Sequence, residues 1–185
     1  MDNATRSERS RKLMLDAAST IIKRDGPGKL TLDAIARESG MSKGAVVHHF
    51  RTKEGVLKAL MDFQIGYFEE FTSRYLEKLD GASAQPILAS QIAVNHQVAI
   101  EPQELAFAML AVIAENPWLH SAARDMAAQK VEEIKREAKD PDLALLRFSA
   151  ARGLAFSSLL GLCPFSEAER ERLFARLADD SLWRE

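Results

Sequence analysis

Two short helical patterns joined at Gly40 occupy residues 31 to 53, and this segment constrains the fold more than any other part of the chain. Thr31 and Ser42 stand at the start of the two patterns, and both residue types cap helix N-termini through their side-chain oxygen. Two short helices separated by a tight turn are typical of a helix-turn-helix. In that motif the second helix enters the major groove of DNA, so the segment predicts double-stranded DNA as a partner.

Cap and turn signals divide the chain into about nine helices, and no segment has the pattern of a strand. The predicted helices begin at about residues 8, 31, 42, 52, 84, 102, 117, 141 and 166. Residues predicted on the inward face of the first helix are Leu13, Ala17, Ile21 and Ile22. Residues predicted to cap later helices are Thr52, Asn116, Asp140 and Ser166. The predicted fold class is all-α, with a helix-turn-helix DNA-binding domain of three helices at 1–52 and a larger helical domain at 53–185.

Composition and charge narrow the class of protein. Residues 1 to 60 contain 12 Lys and Arg against 7 Asp and Glu, while residues 61 to 185 contain 13 against 20. A basic N-terminal third on an acidic remainder suits a small module that faces DNA. The longest apolar run, residues 106–114, is much shorter than the roughly 20 residues of a membrane span, and the polar N-terminus predicts no signal peptide. The single cysteine excludes an internal disulfide. Together these features lead us to expect a soluble cytoplasmic protein.

The second short helix has two distinct faces. Val46 and Phe50 are predicted to face the first two helices, whereas the opposite stripe contains Lys43, Gly44, Val47 and His48. Gly44 lowers helix stability by about 1 kcal/mol relative to alanine, and its use would be close approach of the helix to another surface. An outward valine such as Val47 is suited to contact with a thymine methyl group.

Two lysines are predicted to bind phosphate. Lys43 and Lys53 each follow a helix N-cap, at the positive end of a helix dipole where a cation is unfavourable. Phosphates on either side of the second helix would supply the missing negative charge, and simple solvent exposure is the alternative. His48 and His49 are adjacent on a helix and point about 100° apart, so they cannot share one metal ion. Phosphate or base contacts are the more natural role for this pair.

The segment from Leu30 to Leu60 resembles the DNA-binding domain of the tetracycline-repressor (TetR) family of bacterial transcription regulators. The resemblance extends upstream over the first helix and covers roughly residues 9 to 62, a third of the chain. The residues behind this resemblance are Thr31, Ala36, Gly40, Ser42, Lys43, Gly44, His49, Phe50 and Lys53. The resemblance implies a DNA-binding set that comprises Thr31, Ser42, Lys43, Gly44, Ala45, Val47, His48, His49 and Lys53. Within this set, Thr31 and Lys53 would hold phosphates, and most of the others would lie at the groove. Val47 departs from the family, which commonly has a tyrosine there.

The resemblance also implies a helical C-terminal domain that binds a small inducer and forms a homodimer through its last two long helices. The predicted helix from 141 to 162 is rich in small residues that permit close helix packing, and an ordinary internal packing face is the alternative. Candidate pocket residues, which could equally be plain core, are Phe63, Tyr67, Phe71, Phe107, Trp118, Phe148 and Phe156. Few polar groups accompany them, so the small-molecule effector is predicted to be apolar or amphipathic.

The predicted function is a ligand-released repressor that acts as a homodimer on a palindromic operator. The alternative is a DNA-binding protein whose C-terminal domain docks a protein partner instead of a small molecule. The sequence contains no glycine-rich phosphate loop, no GxSxG motif and no metal-spaced set of histidines and carboxylates. We therefore predict no enzymatic activity, no catalytic residue, no cofactor and no metal site.

Overall fold

The computed structural model describes residues 3–81, 83–100 and 104–183, and this part of the chain is all-α, as predicted. Its nine α-helices are α1 (Asn3–Asp25), α2 (Leu32–Ser39), α3 (Lys43–Phe50), α4 (Lys53–Leu79), α5 (Pro86–Ile100), α6 (Glu104–Glu115), α7 (Pro117–Glu137), α8 (Pro141–Leu159) and α9 (Glu167–Ala178). Short 3₁₀ helices cover Pro27–Lys29 and Asp180–Trp183. Among the described helices, none is long and apolar enough to cross a membrane.

Most of the predicted helix caps are confirmed. The Thr52 hydroxyl accepts a hydrogen bond from the Gly55 amide at 3.1 Å, and Asp140 accepts one from the Leu143 amide at 3.0 Å. Ser166 and the glutamate three residues later form a reciprocal capping box at the start of α9. Asn116 differs, because its side-chain nitrogen donates to the Val112 carbonyl oxygen at 2.6 Å and so closes the end of α6.

The chain forms two compact units. Unit 1 comprises Met1–Ile65 and Glu104–Leu119, and unit 2 comprises Gly66–Gln103 and His120–Glu185. Because α4 runs from residue 53 to residue 79, it contributes its first half to unit 1 and its second half to unit 2. The functional division at residues 52 and 53 stays a prediction.

Unit 1 has a continuous apolar core. Its largest fully buried side chains come from five helices and one turn: Met14, Ile21, Ile22, Leu30, Ile35, Val46, Leu57, Leu60 and Leu119. The predicted inward face of α1 is wrong at Leu13, which is 46% exposed, whereas Met14 is fully buried. The direction of burial is set by the helices that pack against α1, and these helices favour a stripe centred on Met14, Ala18 and Ile22.

The turn between α3 and α4 is short and strained. Arg51 has φ 59° and ψ −48°, and the Thr52 amide donates to the Phe50 carbonyl oxygen at 2.6 Å. These values define a γ-turn of the rare positive-φ kind, which must be held in place by its surroundings. Gly55 lies against the same carbonyl group, since a Cβ atom built at residue 55 would sit 2.1 Å from the Phe50 oxygen. Glycine at 55 is therefore required for α3 and α4 to meet in this way.

Unit 2 has its own apolar core, formed mainly by α5, α8 and α9. The buried residues include Leu88, Ile92, Ile134, Ala144, Phe148, Ala151, Phe174 and Leu177. A carboxylate from α7 caps α5, since the two Glu137 oxygens accept hydrogen bonds from the amides of Ile87 at 2.9 Å and Leu88 at 2.7 Å. This contact satisfies two of the amides that the first turn of a helix leaves without a partner.

A buried arginine, which sequence analysis did not identify, links helices within unit 2. Arg147 is 3% exposed, and its guanidinium donates twice to the Leu177 carbonyl oxygen, at 3.1 and 2.7 Å. The same group donates to Asp180 at 2.9 Å and lies 5.6 Å from the centre of the Trp183 ring. Burial alone would raise the pKa of Asp180, but hydrogen bonds from Ser83 and Arg147 lower it below its ordinary value. The arginine thus ties α8 to the end of α9.

Helix α8 has two apolar faces. Ala151 and Ala155 are buried in the core of unit 2, beside α5 and α9. A second face is exposed at helical spacing, and we call it the α8 stripe: Leu146, Ser149, Ala150, Gly153, Phe156 and Leu160. Leu146 is 68% exposed, and a Cβ atom built at Gly153 would meet nothing within 4 Å among the described atoms. Internal packing therefore accounts for one face of α8 and leaves the other exposed, where the Arg152 guanidinium lies 5.6 Å from the centre of the Phe156 ring.

We expect Gly55→Ala to destabilise unit 1 by about 1–3 kcal/mol, because the new methyl group collides with the Phe50 backbone and no side chain can move aside. Gly66→Ala on the same helix is the matched control. A Cβ atom there meets nothing within 4 Å, and alanine should stabilise the helix by about 1 kcal/mol. Urea denaturation of the two variants should give shifts of opposite sign. Equal shifts would contradict the close approach at Gly55.

Candidate nucleic-acid interface

The helix-turn-helix is defined by two helix caps and a glycine turn, all of which can be recognised in the sequence. The Thr31 hydroxyl accepts a hydrogen bond from the Ala34 amide at 3.0 Å, and the Ser42 hydroxyl accepts one from the Ala45 amide at 3.2 Å. Gly40 ends α2 in the left-handed conformation, with φ 69°. Both caps and the turn are as predicted, so α2 and α3 begin and end where the sequence places them.

Helix α3 presents one face to solvent and buries the other. Val46 is fully buried and Phe50 is 6% exposed, in agreement with the predicted inward face. The residues of the opposite stripe are exposed, including Val47 with 40% of its surface accessible; they are Lys43, Gly44, Val47 and His48. Ala45 and His49 lie at the edges of this stripe and are half-buried. The exposed stripe has a lysine at the N-terminal end of α3, and its centre contains a glycine and an apolar valine.

Nothing inside the described protein requires glycine at position 44. A Cβ atom built there would meet only the Ser42 hydroxyl oxygen, at 4.0 Å, and Gly44 has ordinary helical geometry. The contrast with Gly55 is direct, because at Gly55 the backbone leaves no room for a side chain. A helix-destabilising residue without an internal role points to a role at the outer surface of α3.

Both lysines predicted to bind phosphate already have partners in the free protein. The Lys43 ammonium lies 3.0 Å from the Asp33 carboxylate in the first turn of α2, and both side chains are exposed. Exposed ion pairs of this kind contribute about 0–1 kcal/mol, so a phosphate can compete for the lysine. The Lys53 ammonium donates to the Pro27 carbonyl oxygen at 3.1 Å, which leaves two of its three donors available.

His49 lies in an environment that favours its neutral form. Burial lowers the pKa of the imidazole, and the neighbouring charges of His48 and Arg11 lower it further. The ring also lies 6.1 Å from the Phe50 ring, measured between centroids. A neutral His49 can donate or accept a hydrogen bond at the edge of the stripe while adding little net charge.

Arg11 is a neighbour of α3 that sequence analysis missed. Its guanidinium lies 5.8 Å from the centre of the Phe50 ring. Arg11 precedes the buried Met14 by three residues and the buried Leu15 by four, so it lies one helical turn before the buried stripe of α1. This spacing is the signal that could have placed it beside the core and the end of α3.

The predicted pocket residues lie in several places. Phe63 and Tyr67 are exposed on α4, and Phe71 is half-buried, with its ring stacked 6.5 Å from that of Tyr75. Phe148 packs in the core of unit 2, and Phe156 lies on the α8 stripe. Trp118 is exposed at the start of α7, and the side chain of Phe107 lies outside the described part of the structure. Their role in binding a ligand stays a prediction.

The fold and the exposed stripe of α3 define a helix-turn-helix DNA-binding protein. Residues 14–60 match the model of bacterial regulatory proteins of the tetR family, and residues 85–181 match the tetracyclin repressor-like C-terminal domain. The chain therefore belongs to the TetR family of transcription regulators, as the resemblance of residues 30–60 predicted.

Named relatives and solved structures agree with this assignment. The chain is 28% identical over 134 residues to the HTH-type transcriptional regulator BetI of Escherichia coli K12, an alignment that spans 69% of each protein. It resembles the crystal structure of a TetR-family regulator from Mesorhizobium loti, with a TM-score of 0.71, 18% identity and coverage of 96% of this chain and 97% of that one. A regulator from Saccharomonospora viridis, solved in complex with choline, has a TM-score of 0.68 at 18% identity, with coverage of 92% and 96%.

We expect Gly44→Ala to have opposite effects on stability and on DNA binding. Alanine should stabilise α3 by about 1 kcal/mol, because the added methyl group meets open space. The same methyl group should lower affinity for specific DNA about tenfold, which corresponds to about 1.4 kcal/mol. Thermal unfolding and DNA titration with the purified variant measure the two effects. A variant that is more stable and binds DNA as tightly as the wild type would show that position 44 does not approach the duplex.

Proposed function

We propose that this TetR-family protein is a ligand-released repressor that acts in the cytoplasm as a homodimer on a palindromic operator. The observation that supports it best is the outer stripe of α3. This stripe combines an exposed Gly44 that internal packing does not require with an exposed Val47 and His48, while Val46 and Phe50 hold the helix on the core. Such a surface is suited to the floor of the major groove.

Base and phosphate contacts would divide between the centre of α3 and its surroundings. Val47 would meet a thymine methyl group, and His48 would meet a base edge or a phosphate. Lys43 would exchange its exposed Asp33 partner for a phosphate, and Lys53 would use its remaining donors for another. The hydroxyls of Thr31 and Ser42 accept from backbone amides, so their own protons remain available to donate to phosphate oxygens.

The α8 stripe would form part of the dimer interface, which we propose to involve the last two long helices, α8 and α9. It is largely apolar, contains small residues at its centre and is exposed, so a second copy could pack closely against it. Leu162, which is 73% exposed just beyond α8, extends the apolar surface. A two-fold dimer would present two α3 helices to half-sites separated by one or more turns of DNA.

The effector would act through α4. Only two residues separate α4 from α3, and one of them is the strained Arg51. Further along, α4 contains Phe63, Tyr67 and Phe71. A ligand that binds one position of α4 more tightly than another would shift the spacing between the two α3 helices of a dimer. The aromatic side chains favour an apolar or amphipathic effector, and the choline bound to the Saccharomonospora protein is a first small molecule to test.

The DNA-binding proposal predicts a salt-dependent loss in a lysine variant. Lys43→Ala should weaken binding to operator DNA selected from a random pool, and it should reduce the slope of log affinity against log salt by about 0.9 per protomer. Lys139→Ala is the control, because it removes an exposed lysine of unit 2. Fluorescence anisotropy across a salt series gives both slopes. A wild-type protein without preference for any selected sequence would overturn the proposed function.

The dimer proposal predicts that Leu146→Glu produces a monomer, because a charge would replace the most exposed large side chain of the α8 stripe. Met126→Glu, an exposed apolar position on α7, should leave the assembly unchanged. Sedimentation velocity at micromolar concentration distinguishes the two species. A wild-type monomer, or a Leu146→Glu variant that remains dimeric, would contradict the proposed interface and would favour a different protein partner on this surface.

A further inference from the structure

The first helix extends well beyond the core that it helps to form. Helix α1 begins at Asn3, whereas its first buried residue among those described is Met14. The side chains of residues 5–9 and 11–13 are exposed, and that of Ser10 is half-buried. We call residues 5–12 the basic arm; at 1.5 Å per residue they form about 12 Å of helix. Core packing alone gives no reason for this length.

The basic arm concentrates positive charge. It contains Arg6, Arg9, Arg11 and Lys12 against a single acid, Glu8. No carboxylate in the described part of the chain forms an ion pair with any of the four cations. Arg24 and Lys43, by contrast, are paired with carboxylates of unit 1. Among the described residues of this unit, the arm is therefore a group of four neighbouring cations without a carboxylate ion pair.

Two further features of the arm are unfavourable in isolation. The first turn of α1 has no acidic residue, so nothing among its described side chains complements the positive end of the helix dipole. Arg6 and Arg9 are three residues apart, which places two like charges on neighbouring positions of the helix surface. An anionic partner would relieve both effects.

The last turn of the arm lies beside the C-terminal end of α3. It contains Arg11, whose guanidinium lies 5.8 Å from the centre of the Phe50 ring and close enough to His49 to lower the pKa of that imidazole. The last turn of the arm thus lies near His49, which stands at the edge of the exposed stripe of α3. A duplex that lies against α3 offers a regular series of phosphates next to that end of the helix.

We infer that the basic arm is a second phosphate-binding surface, which contacts the DNA backbone next to the base pairs that α3 contacts. The inference rests on the proposed function, because it takes the exposed stripe of α3 as the DNA-facing surface. It also goes beyond the family assignment, since the match to the tetR-family model begins at residue 14, after the arm. Arg6 and Arg9 are the cations that would bind phosphate, whereas Arg11 also packs on Phe50.

The test removes two charges and measures the salt dependence of DNA binding. Arg6→Ala with Arg9→Ala should reduce the slope of log affinity against log salt by about 1.8 per protomer, and Arg6→Lys with Arg9→Lys should retain the slope. The control removes two exposed arginines of α7 through Arg124→Ala and Arg136→Ala, which should leave the slope unchanged. Thermal unfolding should show no loss of stability in any of the variants, because these side chains are exposed.

The two proposals fail in different ways in this experiment. An unchanged slope in the double alanine variant, on both selected and random-sequence duplexes, would overturn the inference. A wild-type protein that binds all sequences equally would overturn the proposed function alone, because phosphate contacts are measurable on any duplex. A double lysine variant that behaves like the alanine variant would also overturn the inference, since a contact through charge must survive that exchange.

Discussion

The position of Phe50 is the constraint on which the DNA-binding half depends. Its side chain is 6% exposed in the core of unit 1, and Arg11 lies over its ring. Its carbonyl oxygen accepts from the Thr52 amide at 2.6 Å and occupies the space that a side chain at Gly55 would need. One residue therefore joins α3 to the core, to α1 and to α4.

This anchoring leaves Gly44, Val47 and His48 exposed on the outer surface of α3. A helix of eight residues is marginal by itself, so its stability must come from its ends and its contacts. The Ser42 cap holds one end, the γ-turn holds the other, and Val46 and Phe50 supply the buried area. The outward residues can therefore include a glycine that lowers helix stability but allows close approach to another surface.

Local features were predictable from the sequence, and contacts between distant residues were not. The caps at Thr31, Ser42 and Asp140 depend on residues within three positions, and all three are confirmed. The burial of Arg147 depends on a carbonyl oxygen 30 residues away, and no local sequence pattern predicts this burial. The inward face of α1 was misplaced at Leu13 for the same reason, because the packing partners of a helix decide which stripe is buried.

The same distinction applies to the candidate DNA contacts. A charge count of the first 60 residues treats every cation as equally available to bind DNA. In the folded protein, however, some of these cations already have internal partners. Arg24 is bound by two carboxylates, Lys43 by Asp33, and Lys53 by a carbonyl oxygen, so part of the positive charge of unit 1 holds its own helices in register. Cations with internal partners are pre-oriented and must exchange a weak contact for a phosphate, whereas cations without such partners attract DNA at longer range. A surface that contains both kinds can combine attraction with a defined orientation on the duplex.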